Sequence, residues 1–146
     1  MHYREAQLTD IPQLMRVRMA VRENRLSNPA LVPAEAYVEY LTQRGKGWLC
    51  ETTAGTVAGF AIADLQDHSI WALFIDPDFA AQGIGKRLHD LMLTWYFQQT
   101  THPVWLSTAP GTRAEEFYRR QGWHETGRTK SGEVRFERGD WKNDYL

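Results

Sequence analysis

A single cysteine, Cys50, is present in the sequence, so no disulfide can form within the chain and a reducing compartment is expected. Long apolar runs are also missing: no stretch approaches the roughly 20 residues that a membrane-spanning helix needs. The first residues, Met1-His2-Tyr3-Arg4-Glu5, hold no apolar signal core, so a cytoplasmic protein without membrane attachment is the expectation. Neither sign of charge is in excess. Lys and Arg total 17 against 18 Asp and Glu, for a formal net charge of -1, which offers no electrostatic footprint for nucleic acid. Repeats, low-complexity tracts and linkers rich in Pro, Gly or Ser are absent as well. What remains is 146 residues, 42% hydrophobic and 24% charged, a composition and length suited to one domain around one core.

The pattern along the chain alternates strands and helices. Residues 3–7 read as a first strand. Thr9 or Asp10 can cap a helix that begins near Pro12, and Ile11, Leu14, Met15 and Val21 follow at helical spacing with Arg18 and Arg22 in line. Pro29 and Pro33 interrupt before a second helix over 34–43. Residues 48–52 and 57–64 form a hairpin around Ala54-Gly55. Residues 69–76 are mostly apolar and therefore a central strand. The clearest helix covers 83–98, where Ile84, Leu88, Leu91, Met92, Trp95 and Tyr96 fall three and four apart. A strand over 103–107, a helix over 112–121 stopped by Gly122, and strands over 123–128 and 133–138 complete the order.

One junction carries chemistry. After the central strand, Pro77 ends the extended run and Gln82-Gly83-Ile84-Gly85 opens a helix, with Lys86 and Arg87 next. The first N–H groups of a helix have no internal partner and converge with the positive end of its dipole. Two glycines let an anion such as a diphosphate approach the backbone. The same pair also suits a plain tight turn. It lacks the third glycine of a dinucleotide fingerprint and the Gly-Lys-Ser/Thr ending of a P-loop.

The following segments narrow the choice. Leu73-Phe74-Ile75-Asp76-Pro77, then Gln82-Gly83-Ile84-Gly85, then Ala114, Phe117-Tyr118 and Gly122-Trp123 occur in an order and at a spacing that resembles the GNAT superfamily of N-acetyltransferases, most clearly over 57–127. The resemblance implies a single α/β (α+β) domain: a mixed central sheet of about seven strands, flanked by about four helices, with two parallel strands splayed apart. It implies acetyl-CoA as co-substrate and no metal. The diphosphate would rest on Gln82, Gly83, Ile84, Gly85 and Lys86. The amide-rich arm of CoA would lie along the backbone near Phe74 and Ile75 and beside Gly111 and Ala114. The chain departs from the family pattern at Ala80 and Ala81, where Gln or Arg and Gly are common, and at Gly111, where Asn is common.

The implied reaction is direct attack of a primary amine, on a small molecule or a peptide, upon the thioester within a ternary complex. A lysine-like amine titrates near ~10.4, so attack needs a base or a desolvated pocket. Tyr118 matches the family's general acid; it can equally be a core tyrosine beside Phe117. A phenol near ~10 gives up its proton reluctantly to a thiolate whose thiol titrates near ~8.5, so a hydrogen bond from Tyr118 is the other form of the role. His68 and Asp64, with Asp67 at the same turn, are the candidate bases. As a polar hairpin tip they would need no such role, and three residues at one turn are a weak metal signal. For the acceptor, Arg22, Glu23 and Asn24 are candidates: Arg18 and Arg22 for a carboxylate or phosphate, Glu23 and Glu35 for a cationic amine, or all of them an ordinary solvated helix end. Trp71 and Phe74 favour a short acyl group if they point inward. Trp141 and Tyr145 suit either a cap on the core or a homodimer contact. A CoA-binding sensor without catalysis is the competing function.

Overall fold

The computed structural model describes residues 1–140 of the chain, so Trp141 and Tyr145 lie outside the described residues. Eleven principal elements follow in order: β1 (His2–Glu5), α1 (Ile11–Ala20), α2 (Ala34–Glu39), β2 (Gly45–Glu51), β3 (Val57–Asp64), β4 (Ser69–Ile75), α3 (Ile84–Gln99), β5 (Val104–Thr108), α4 (Arg113–Arg120), β6 (His124–Arg128) and β7 (Val134–Arg138). The strands form one mixed seven-stranded sheet in the order β1-β2-β3-β4-β5-β7-β6, as the motif order implied.

Alternation along the strands sends apolar side chains to both faces. On one face α1 and α2 place Leu14, Val17 and Tyr37 against Leu49, Phe60 and Ile62. On the other, α3 places Leu88, Met92 and Leu93 against Ala61, Val104 and Leu106. β3 lies between the two layers and is buried along its whole length, which is why its sequence reads as nearly continuous apolar residues.

Boundaries shift where side chains intervene. β1 ends at Glu5 rather than Gln7 because the Gln7 N–H donates to Asp10 Oδ2 at 2.7 Å and the chain enters a 3-10 turn. Asp10 also takes two 2.8 Å hydrogen bonds from Arg4, which hold its carboxyl below the usual range. α1 stops at Ala20, and Val21 is extended. The expected shared face of Arg18 and Arg22 is therefore corrected: Arg22 lies beyond the helix and is exposed. α2 is shorter than expected; its last turn widens to π geometry over Tyr40–Arg44 and runs into β2 at Gly45. Gly45 passes so close to the Ala63 carbonyl that any Cβ there would collide with it.

α3 and the end of α4 are joined through a buried histidine. The Trp123 indole N–H donates to His89 Nε2 at 3.0 Å, so the ring's proton sits on Nδ1, which donates to Asp90 at 2.9 Å. Burial keeps His89 below its ordinary pKa, against the opposing pull of Asp90. The unfolded chain thus binds this proton more readily than the folded one. The contribution of neutral His89 to stability is complete above the unfolded value of ~6.5 and is lost as pH falls below it toward the folded pKa. Thermal unfolding measured from pH 8 to pH 5 should show a melting temperature that falls below pH ~6.5, and His89→Gln, which keeps an acceptor for Trp123, should flatten that fall. Parallel curves for the two proteins would remove His89 as the cause.

Candidate active site

β4 and β5 run parallel but share one pairing among the described residues, Ser69 with Trp105. The junction is fastened by four hydrogen bonds. Trp105 N–H donates to the His68 carbonyl and its indole N–H to the Asp67 carbonyl, each at 2.9 Å. The Tyr96 hydroxyl donates to the His102 carbonyl at 3.0 Å and meets His68 Nδ1 at 3.1 Å. Beyond this point the strands diverge. The cause lies in β4: Ile62 pairs with Ala72 and Ala63 with Ile70, which leaves Trp71 as a bulge. A bulge bends and twists its strand, and here it carries β4 away from β5.

The opening exposes backbone. Asp76 N–H donates to Ala58 on the β3 side at 2.8 Å. Amide directions alternate along a strand, so Phe74 also faces β3, whereas the N–H groups of Leu73 and Ile75 face the gap. Of the two expected residues, Ile75 is the one whose amide is directed inward. The Phe74 ring instead packs on Phe60 at 5.9 Å and under the Arg18 guanidinium at 4.3 Å.

At the open end lies the glycine turn. Asp76 caps a short 3-10 turn by accepting the Asp78 N–H at 3.0 Å and holds Arg16 at 2.9 Å. The chain then enters α3 through Gly83, whose φ of +78° is left-handed and favours glycine. The first helical hydrogen bond runs from Arg87 N–H to the Gly83 carbonyl, and the amides of 83–86 have no partner among the described residues. These donors head a helix of 16 residues, a suitable seat for an anion. A Cβ at Gly85 would meet Ile75 and Phe117 only at 3.7 and 3.9 Å. The fold itself would thus accept a side chain there, so packing does not require glycine at this position. Gln82 is exposed and Ile84 is buried beneath the turn. Lys86 pairs with Asp90 at 2.8 Å and Arg87 lies 5.1 Å from the Tyr3 ring, so backbone rather than side-chain charge dominates at the turn.

α4 flanks the gap from the β5 side. Gly111 has a φ of +75°, a left-handed position that asparagine tolerates nearly as well. That shared preference gives the departure at this site a backbone reason. Thr112 caps the helix, and Ala114 is half-buried against the core. Tyr118 is buried among Phe117, Trp123 and Phe136, with ring centres 5.3–6.4 Å apart. Its hydroxyl takes no hydrogen bond from the described residues, and burial pushes its pKa well above the ordinary phenol value.

Other candidates are committed elsewhere. Asp64 is 1% exposed, paired with Arg44 at 2.7 and 3.1 Å, and accepts the Gln66 and Asp67 amides. Its carboxylate thus closes the β3–β4 turn. His68 has a φ of +54°, stacks on His102 at 3.8 Å and has Nδ1 engaged by Tyr96. Both residues sit at the closed end of the gap; at roughly 3.3 Å per residue, β4 places His68 on the order of 20 Å from Ile75. Glu23 accepts the Arg113 N–H at 2.7 Å, while Asn24 bonds Thr108 Oγ1 at 3.1 Å and the Ala109 N–H at 3.0 Å. These two side chains stitch the segment after α1 to the β5–α4 loop across the mouth of the gap. Arg22 and Glu35 are exposed. No group of three or more His, Cys, Asp or Glu among the described residues is arranged to hold a metal ion, and no helix among them is long and apolar enough to cross a membrane.

Comparison with known proteins agrees with this geometry. Residues 14–123 match the acetyltransferase (GNAT) family. A peptidyl-lysine N-acetyltransferase, YjaB, from Salmonella typhimurium is 33% identical over 105 residues, 72% of this chain and 68% of that protein. Among solved structures, a GNAT-family acetyltransferase from Staphylococcus aureus Mu50 superposes with a TM-score of 0.81 at 19% identity, over 94% of this chain and 98% of that one. The PaiA N-acetyltransferase from Thermoplasma acidophilum, solved with coenzyme A, gives 0.78 at 12% identity over 94% and 98%.

Two expectations follow. Gly85→Ala should weaken acetyl-CoA binding about tenfold or more in a calorimetric titration, while its melting temperature holds or rises, since Ala is better than Gly within a helix by about 0.5–1 kcal/mol. Unchanged affinity would place the diphosphate elsewhere. Asp64→Asn should lower stability by about 3 kcal/mol, the scale for breaking a buried ion pair. Once folded, it and His68→Asn should turn over within twofold of the parent, and a large loss of kcat in a folded variant would return these residues to the reaction.

Proposed function

The chain belongs to the acetyltransferase (GNAT) family, and from that premise we propose that it moves an acetyl group from acetyl-CoA to a primary amine, with peptidyl lysine the first acceptor to test. The observation that carries the reading is the conjunction of a gap between β4 and β5 with a turn of free amides at its open end. The YjaB relative's activity supports the choice of acceptor.

Acetyl-CoA supplies the activated acyl group. The amides of 83–86 are the donors for its diphosphate, and the gap-facing groups of Leu73 and Ile75 are those for the arm. The Ile75 N–H is the donor placed to stabilise negative charge developing on the acyl oxygen. Cys50, the only cysteine, is buried, so no accessible thiol is at hand to carry the acyl group, and direct transfer to the amine is the simpler course. Overall the amine nitrogen loses one proton and the departing sulfur gains one, so Tyr118 need not change its own proton count.

Tyr118 acts in this scheme as a hydrogen-bond donor to the departing sulfur. Burial raises its pKa further from that of a thiol, which disfavours full transfer and leaves the phenol a donor throughout the working pH range. A carboxylate or imidazole base is not required if the acceptor amine is desolvated on entry. Tyr118→Phe should reduce kcat at least tenfold against a lysine peptide, with acetyl-CoA affinity within twofold of the parent. Undiminished turnover would sink the assignment. Tight acetyl-CoA binding with no turnover of any amine by the parent protein would favour a CoA-binding sensor, a reading supported by the engagement of Asp64 and His68 with other side chains far from the open end of the gap.

A further inference from the structure

We propose that Arg18 binds a carboxylate on the acceptor, so that the amine acetylated belongs to a molecule or peptide segment bearing a carboxylate close by. This inference rests on the acetyltransferase reading and specifies its substrate class.

Arg18 lies in the last turn of α1, four residues after the buried Leu14 and on the same helix face. It crosses the Phe74 ring with its guanidinium 4.3 Å from the centroid, and Phe74 adjoins Ile75 at the open end of the gap. Stacking uses the face of the guanidinium and leaves its edge N–H groups free to donate. One of them, Nη1, is buried without a hydrogen-bond partner among the described residues.

Such an atom is costly to a fold. A buried unsatisfied donor loses its hydration and gains nothing in return, the more so when it carries charge. Other arginines here avoid that cost: Arg16 pairs with Asp76 at 2.9 Å, Arg44 with Asp64 at 2.7 Å and Arg4 with Asp10 at 2.8 Å. For Arg18, burial lowers the pKa and, among the described residues, the ionisable neighbour acting on it is the Tyr37 phenol. Arg18 and Tyr37 line the same cavity of about 20 Å³, walled by Met15, Met19, Leu26 and Val32. A guanidinium stacked on an aromatic ring with a donor unspent is suited to a carboxylate, and bidentate pairing is the strong form of that contact. The carboxylate has two possible sources, a free amino acid or an acidic residue next to the lysine of a peptide.

The test uses the whole chain with saturating acetyl-CoA, follows thiol release, and compares two matched acceptor pairs. One pair is lysine against lysinamide. The other is a capped lysine peptide with an adjacent Glu against the same peptide with Gln. The carboxylate member of one pair should be preferred about 10-fold to 100-fold in kcat/KM, the scale of a hydrogen bond to a charged group, and the pair that shows the preference identifies the source. In Arg18→Met the ratio should fall to near one, and in Arg18→Lys it should be partly kept. The melting temperature of Arg18→Met should hold or rise, because an unpaired buried charge has gone. Equal rates within both pairs, or a preference that survives in Arg18→Met, overturns the proposal while leaving the acetyltransferase reading intact. If no amine reacts, that reading fails instead. The carboxylate site is then judged by nitrogen NMR of the Arg18 guanidinium titrated with glutarate and glutaramide: a shift with glutarate alone supports it, and no shift overturns it.

Discussion

One backbone pairing, Ser69 with Trp105, ties β4 to β5, and the functional part of the molecule depends on there being no second pairing beyond it among the described residues. A parallel pair in full register would satisfy its amides internally and leave no site. Here the bulge at Trp71 turns β4 aside, so the Leu73 and Ile75 amides face a gap instead of a strand. Unpaired backbone is tolerable only where solvent or a ligand reaches it. The closed end has to resist that divergence, and it is braced by Tyr96 and by both N–H groups of Trp105. Burial pushes the Tyr96 phenol up to about 12, so this brace stays protonated and does not slacken across the physiological pH range.

Charged side chains divide between two duties. Asp10, Asp64 and Asp76 each join an arginine to backbone amides, and each closes a turn. Their attraction is retained because every partner is satisfied, the condition under which buried pairs hold a fold in shape. Glu23 and Asn24 do related work across the mouth of the gap. They tie the segment after α1 to the β5–α4 loop. Arg18 is the exception, held on Phe74 with a donor left over. A donor left buried and unpaired costs the folded state something, and the proposed carboxylate would offset that cost.

Much of this was legible in the sequence, for identifiable reasons. The glycine turn, the α4 motif and the order of strands depend on local chemistry, namely left-handed glycines, helix caps and alternating apolar residues, and they lie within a residue or two of the expected positions, except that β2 begins three residues earlier, at Gly45. Tyr118 and Gly85 were placed by the same motifs. The functions of Asp64, Glu23 and Asn24 were not legible, because each is decided by a partner remote in sequence: Arg44 twenty residues away, Arg113 ninety and Ala109 eighty-five. A carboxylate at a hairpin tip looks the same on paper whether it is free to act as a base or locked to a guanidinium. The end of α1 was missed for a related reason, since the pull of Glu23 and Asn24 toward the β5–α4 loop carries no local signal. Arg18 was visible as a cation continuing an apolar stripe, but only its surroundings separate it from Arg22, which the stripe also included.

The environment of Tyr118 bears on how a buried phenol can assist a sulfur leaving group. Aromatic rings on three sides and no hydrogen-bond partner among the described residues make its anion expensive, and its pKa rises. For a group that had to surrender its proton to a thiolate, whose thiol titrates near ~8.5, this shift would be counterproductive. For a group that only donates a hydrogen bond it is useful. Such a phenol stays protonated at working pH, its hydroxyl is not spent on another atom of the described residues, and a low-dielectric setting would strengthen its bond to a charge that appears as the C–S bond breaks. In the proposed scheme the stabilisation is greatest when the sulfur is most negative, so it would act on the transition state more than on the bound thioester, which is the condition for raising kcat rather than tightening binding. The same aromatic packing that makes Tyr118 look like an ordinary core residue is thus what would suit it to the proposed role.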